Sequence, residues 1–273
     1  MNPLLVVDGD NLAHRAYHST PKTVRGTNDA PINAIVGFFS MLVGVWQKEQ
    51  PRAVFVAWDT LGFDTYRSEL WPPYQGGRVF EPEIRQQLGQ LPALCMACGL
   101  GVGKSAGHEA DDLIAAAALK EAAGGGTCVI LTADRDTFQL ASDCITILWP
   151  RKGISNIERI GPHQVVELFG VLPEQVPDFK ALCGDPSDKI PGIRGIGPKA
   201  AASLLLRYGD LEGVLENWNR PQDAELALMF REVARMRHDV DVTLPDGPPR
   251  WSDGAPVLRE LGANRLADRL AEL

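Results

Sequence analysis

The sequence predicts an α/β protein: a central, mostly parallel sheet with helices on both faces. Three observations carry that prediction. Residues 4–7, 52–58 and 127–132 are short apolar runs, each closed by an acid (Asp8, Asp59, Asp134), and helical patterns lie between them. Gly107-His108-Glu109-Ala110-Asp111-Asp112 places three carboxylates at the start of an alanine-rich helical run. From Gly161 onward the strand pattern gives way to short helical segments around a Gly-rich turn.

Leu4-Leu5-Val6-Val7-Asp8 reads as a strand, Gly9-Asp10-Asn11 as the turn after it, and residues 12–17 as the start of a helix. Residues 20–31, with Gly26 and two prolines, form a loop. Ile32, Ile35, Val36, Phe39, Leu42, Val43 and Trp46 recur at helical spacing, and residues 52–58 form the second strand. Residues 61–92 break the pattern with four prolines, a Gly76-Gly77 pair and Arg67, Arg78 and Arg85, so they read as an inserted functional loop. A helix is predicted over 88–98, a turn or short strand over 99–103, the acidic helix from Glu109, and strands over 127–132 and 145–149. Residues 162–169 and 173–183 read as helices, Gly192 to Ala201 as a tight hairpin with Pro198 starting a helix, and 225–237 as a helix. Residues 243–252 are proline-rich and loop-like, and 258–273 form a terminal helix. The division predicted is a core over 1–160 with its insertion at about 61–92, a helical unit over 161–245 and a segment over 246–273 packing on the body.

The 273 residues, 45% of them hydrophobic, support one large α/β body with an appendage. No apolar run is long enough for a membrane span, and the start lacks the basic and apolar pattern of a leader, so a cytoplasmic protein without membrane partners is expected. Five cysteines, an odd number, fit a reduced protein, and Cys95 and Cys98, a lone pair, read as buried helix positions. Gly99 to Ser105 mimics a phosphate-binding loop, but the glycine required at position 98 is Cys98.

In a parallel sheet the acids that follow the strands share one edge. One such acid is an ordinary helix cap; three at corresponding ends, joined by a triple-acid helix start, repel one another unless a cation lies between them. Hard divalent ions take such oxygen ligands. Gly184-Asp185-Pro186-Ser187-Asp188 adds two more acids. The Gly192 to Lys199 hairpin has exposed backbone N–H groups, a helix start, Arg194 and Lys199, which suit a phosphate. The net charge of −8 argues against nucleic acid only until nine metal-facing acids are set aside, after which the remainder is close to neutral.

Val7-Asp8-Gly9, Gly37-Phe38, Tyr66-Arg67-x-Glu69-Leu70, Glu109-Ala110-Asp111-Asp112, Thr132-Ala133-Asp134-Arg135-Asp136 and the run from Gly184 to Lys199 occur in this order. That set resembles the bacterial and phage 5′-nuclease (flap endonuclease) family, which includes the 5′-exonuclease domain of DNA polymerase I. The resemblance covers roughly residues 4–245 and points to a stand-alone, monomeric member. It implies the PIN-like 5′-nuclease fold, a helical arch at 61–92 and a helix–hairpin–helix subdomain. It also implies hydrolysis of phosphodiesters near single-strand/double-strand DNA junctions, in primer or flap removal during replication and repair. Two or more Mg²⁺ or Mn²⁺ ions would be held by Asp8, Asp59, Glu109, Asp111, Asp112, Asp134, Asp136, Asp185 and Asp188, with K⁺ a further ligand of the hairpin. The implied DNA contacts are His14, Arg15, Lys22, Arg25, Arg194, Gly195, Gly197 and Lys199, on branched or nicked DNA or RNA primer–DNA hybrids.

One departure stands out. The family's arch motif usually reads Tyr-Lys-x-x-Arg; here it is Tyr74-Gln75-Gly76-Gly77-Arg78. An amide cannot stabilise developing negative charge as an ammonium does. The sequence therefore predicts a nuclease that is slow, or shifted in metal or substrate preference, in which Arg78 or Arg67 partly compensates for Gln75, with a catalytically weakened junction-binding protein as the alternative. A PIN-like ribonuclease is disfavoured by the long insertion and the hairpin.

Overall fold

The computed structural model describes residues 2–60, 62–74, 81–151 and 153–273. In chain order the core comprises β1 (Leu4–Asp8), α1 (Gly9–Ser19), α2 (Asn33–Glu49), β2 (Ala53–Ala57), α3 (Tyr66–Leu70), α4 (Pro82–Ala97), β3 (Gly101–Gly103), α5 (Ala110–Ala123), β4 (Cys128–Leu131), β5 (Ile145–Trp149) and β6 (Glu158–Ile160). The helical part follows as α6 (Pro162–Phe169), α7 (Val176–Cys183), α8 (Pro198–Tyr208), α9 (Leu211–Glu216) and α10 (Ala224–Ala234). Two last helices, α11 (Trp251–Glu260) and α12 (Asn264–Ala271), return to the core.

The sheet order is β3-β2-β1-β4-β5-β6, with five parallel strands and an antiparallel β6. The strands alternate between two cores. Leu4 and Val6 pack with the alanine face of α5, while Leu5 and Val7 pack with α1 and α2. A strand covered on both sides must be apolar at every position, which explains the unbroken Leu-Leu-Val-Val run. The order reverses between β1 and β4, because the chain builds to one side of β1 first and the other side later. In such sheets the crevice outside the strand ends at that switch is where ligands bind. Asp8 ends β1 at that switch, and Asp59 and Asp134 follow its two neighbours, β2 and β4.

Several boundaries differ from the sequence expectation. Helix α4 begins at Pro82 rather than at 88 and continues through Pro92. Pro82 sits in the first turn, where no N–H is needed. Pro92 costs one backbone bond, and the helix survives because Ile84, Leu88, Leu91, Leu94 and Cys95 bury its inner face. The C-terminal segment is two helices, not one, broken at Gly262. Trp251, expected in a loop, starts α11 and packs edge-on against Trp46 with centroids 5.5 Å apart. Among the described residues no helix is long and apolar enough to cross a membrane, and Cys95 and Cys98 are buried free thiols.

Candidate metal centre

Asp8 and Asp134 are fixed from both sides of the switch. Asp8 caps α1 by accepting from Asn11 N (3.0 Å), and its other oxygen accepts from Thr132 Oγ1 (2.7 Å). The same Thr132 hydroxyl accepts from Asp134 N (3.0 Å), and Asn11 Oδ1 accepts from Ala133 N (3.2 Å). Gly9 allows β1 and β2 to end this close together: a Cβ there would lie 2.6 Å from the Trp58 ring and 2.7 Å from Ala57 O. Asp59 Oδ1 accepts from Ala110 N (2.7 Å) at the start of α5. The Asp59 amide in turn donates to Asp10 Oδ2 (2.7 Å).

These contacts shape an open cavity of about 540 Å³ lined by Asp8, Asp10, Asp59, Glu109, Asp111 and Asp134, with the exposed Asp64 also on its wall. Burial pushes the Asp8 carboxyl up to about 7. Burial, reinforced by the charge of Asp59, pushes Asp10 up to about 8. Asp111 is held well above the ordinary range by burial and by the charges of Asp134 and Asp8. Glu109 is also raised by burial, although the Arg67 guanidinium opposes the shift. Carboxylates this crowded lack positive charge, and a divalent cation supplies it.

A second group adjoins the first. Asp136, Asp185 and Asp188 each present an oxygen within 4.8 Å of the others. The hairpin Asp185 to Ile190 is closed by reciprocal backbone bonds (2.8 and 2.9 Å). Gly184 and Gly192 cross beneath it at φ +83° and +67°, and a Cβ on Gly192 would lie 2.3 Å from Gly184 N. A cation already occupies this cradle: the Lys180 ammonium bonds Asp136 and lies 2.5 Å from Asp185 Oδ2. Burial raises the Asp185 carboxyl, but Lys180 and two hydrogen bonds from Ser187 outweigh it and leave it below the ordinary range. Both groups are all-oxygen donor sets that fit hard divalent ions. Two imidazoles, His14 and His108, line the wall of the carboxylate cavity.

Two expected site residues are placed differently. Asp112 does not line the cavity; it is fully buried, and both its oxygens are gripped by Arg67. Arg67, expected near the scissile phosphate, is 2% exposed and spent on Asp112, Glu109 and the carbonyls of Val233 and Arg235. A buried arginine is stable only with such partners, which is why both residues are drawn away from the cavity. The other expected catalytic residues, Gln75 and Arg78, lie outside the described residues. Among the expected DNA contacts, His14 reaches the cavity and Arg15 is half-buried. Lys22 pairs with Glu81 (3.0 Å) and Arg25 with Glu83 (3.6 Å) at the start of α4. Arg194, Gly195 and Gly197 are exposed on the hairpin before α8, and Lys199, exposed in its first turn, lines a larger cavity of about 980 Å³ that runs past Lys180 to Asp134.

Two residues escaped the sequence reading. Asp10 looks like part of a turn in the sequence, although an acid two residues past a strand end is signal enough to count it. Lys180 lies in an ordinary helical pattern, and only the excess of acids hinted at a buried counter-charge.

A parallel sheet with carboxylates converging at its switch point, flanked by a helical unit, defines an α/β protein with a carboxylate-lined cation site. Residues 3–170 match the 5′-3′ exonuclease N-terminal resolvase-like domain, and residues 171–247 match the 5′-3′ exonuclease C-terminal SAM fold. DNA polymerase I of Mycobacterium leprae is 39% identical over 216 residues, covering 78% of this chain and 24% of that protein. DNA polymerase I of Bacillus caldotenax is 34% identical over 283 residues, covering 98% of this chain and 32% of the relative. The chain thus spans about a quarter to a third of the length of these relatives. The T5 5′-exonuclease solved with bound zinc superposes with a TM-score of 0.70 at 19% identity, covering 99% of this chain and 97% of that one, a likeness of fold. The chain belongs to the 5′-3′ exonuclease family.

Proposed function

We propose that the protein is a divalent-metal-dependent 5′ nuclease that hydrolyses a phosphodiester near a single-strand/double-strand junction in DNA. The observation that carries this is the placement of two carboxylate groups side by side at the switch of the sheet, one lined by Asp8, Asp10, Asp59, Glu109, Asp111 and Asp134, the other built from Asp136, Asp185 and Asp188. Mg²⁺ or Mn²⁺ suits these oxygens, and ions bound there lower the pKa of water and offset charge on the attacking and leaving oxygens. Asp112 and Arg67 hold Glu109 in place from beneath. The exposed hairpin with Arg194 and Lys199 suits duplex phosphates without reading sequence, and its carbonyls suit K⁺. By the family resemblance, Arg78 and Gln75 are the further candidates for catalysis. Flap and primer removal, on DNA or RNA 5′ ends, in a monomeric cytoplasmic enzyme, is the role this reading supports.

The second reading, a junction-binding protein with weakened catalysis, is favoured by Gln75 alone. Single-turnover cleavage of a labelled 5′-flap duplex in Mg²⁺, in Mn²⁺ and with chelator, beside Asp134→Asn, separates the two. Metal-dependent release of the flap, abolished by Asp134→Asn, supports the nuclease. Tight binding without cleavage in either metal supports the binder.

A further inference from the structure

Among the described residues every Phe, Tyr and Trp is buried or half-buried except Phe63, which is 60% exposed. A single exposed apolar side chain is ordinary on a protein surface. Its position is not ordinary. Phe63 lines the same cavity as the carboxylates, and the rings of His14, Tyr74 and His108 share that wall. The segment that carries it is tied at both ends to the start of α5. Asp59 Oδ1 accepts from Ala110 N (2.7 Å), and Thr65 Oγ1 donates to Glu109 Oε1 (3.2 Å). Gly62, next to it, takes φ +85° with open space around it. Phe63 therefore lies on the wall that the acids line, with more than half of its surface left to solvent.

Resting on the nuclease reading above, we propose that Phe63 is a stacking platform for one unpaired nucleobase of the strand whose phosphate lies over the carboxylates. The chemistry of the wall selects this occupant. The acids, with their cations, take the phosphate; an aromatic face beside them takes the flat ring one nucleotide away. A paired base inside a duplex has both faces covered, so only an unpaired or terminal base can use the platform. Stacking tolerates any base, yet a purine offers more area and is favoured at that nucleotide.

The test uses a 5′-overhang duplex carrying 2-aminopurine at each nucleotide flanking the junction in turn. Binding is followed by fluorescence in chelator and in Ca²⁺, for the wild type, Phe63→Ala, Phe63→Leu and Phe63→Trp, with melting curves to verify folding. Removing a stacked base's partner weakens binding by about tenfold. The expected result is quenching at one nucleotide in the wild type and Phe63→Trp, lost in both Phe63→Ala and Phe63→Leu. Replacing that nucleotide by an abasic site should weaken the wild type about tenfold and leave Phe63→Ala unchanged. Equal abasic penalties in the two proteins, or wild-type quenching retained in Phe63→Ala, overturn the platform while leaving the nuclease reading intact. A wild type that binds no overhang DNA overturns both.

Discussion

The guanidinium of Arg67 grips both carboxylate oxygens of Asp112, Nη1 to Oδ2 at 2.9 Å and Nη2 to Oδ1 at 2.7 Å. The pair is sealed from solvent and joins three parts of the chain. Arg67 starts in α3, Asp112 lies in α5, and the same arginine donates to Val233 O (3.1 Å) in α10 and to Arg235 O (3.1 Å) just beyond it. Its remaining contact, to Glu109 Oε2 (3.3 Å), reaches the cavity. Helical unit and cation site therefore share one buried charge.

Arg67→Met should leave Asp112 buried without a counter-charge and lower the stability by about 3–5 kcal/mol, read from urea unfolding. Replacing both partners, as Arg67→Met with Asp112→Leu, should recover part of the loss, because the fully buried charge at Asp112 is gone as well. Since Glu109 loses its support as well, metal affinity in the single variant should fall by about 10- to 100-fold. Wild-type stability in Arg67→Met would show the pair to be worth nothing net.

The crowded acids make a pH prediction with a definite sign. Asp8 and Asp10 hold protons in the folded, metal-free protein up to about pH 7 and 8, whereas in the unfolded chain they release them near the ordinary aspartate value of 3.8. The folded state thus binds more protons between these limits. Its stability is present in full below about pH 4 and is lost as pH rises through 7 to 8. Metal-free melting temperatures should fall across this window. With saturating Mg²⁺ the trend reverses, because binding requires the deprotonated acids. Asp111→Asn removes one charge from the cluster and should raise metal-free stability at pH 8 by about 1 kcal/mol while cutting cleavage on the order of 100-fold. A destabilised Asp111→Asn in chelator would contradict the repulsion argument.

Much of this arrangement was legible because strand ends are legible. An apolar run followed by Asp fixes both a strand and the edge its acid faces, so Asp8, Asp59 and Asp134 fall together once the sheet is parallel. Asp111 followed from the helix that starts beside them. What sequence spacing cannot carry is a partner distant in the chain. Asp112 looks like its neighbours Glu109 and Asp111 until Arg67, 45 residues earlier, claims it. Asp10 looks like part of a turn in the sequence, and only the Asp59 amide that it accepts from, just past β2, reveals that it faces inward. The helix through Pro92 was illegible for another reason: its buried face outweighs a local penalty.

Lys180 offers a third prediction. Its ammonium lies within the cradle of Asp136 and Asp185, where a divalent ion would compete with it. Lys180→Met should leave those acids without their counter-charge and destabilise the metal-free protein by about 3 kcal/mol. Adding Mn²⁺ should then raise its melting temperature by more than it raises that of the wild type, since binding now restores a missing charge as well. The same gain in both proteins would mean that Lys180 and the ion do not share the cradle.

The last prediction concerns Gln75, which stands where the resembling family usually has lysine. Charge develops on the phosphate as the bond breaks, and a donor aimed at that charge contributes more in the transition state than in the ground state. An ammonium at this position would act on the chemical step and little on binding. Gln75→Lys should therefore raise the single-turnover cleavage rate by roughly 10- to 100-fold, with the dissociation constant for the flap duplex in Ca²⁺ changed much less. Arg78→Ala should cost more in the wild type than in Gln75→Lys, because the wild type has one fewer cation to rely on. If Gln75→Lys gains nothing while the wild type cleaves well, the cationic role has moved to another side chain, and a variant scan over Arg78, Arg15 and Arg135 would locate it by the largest loss in single-turnover rate.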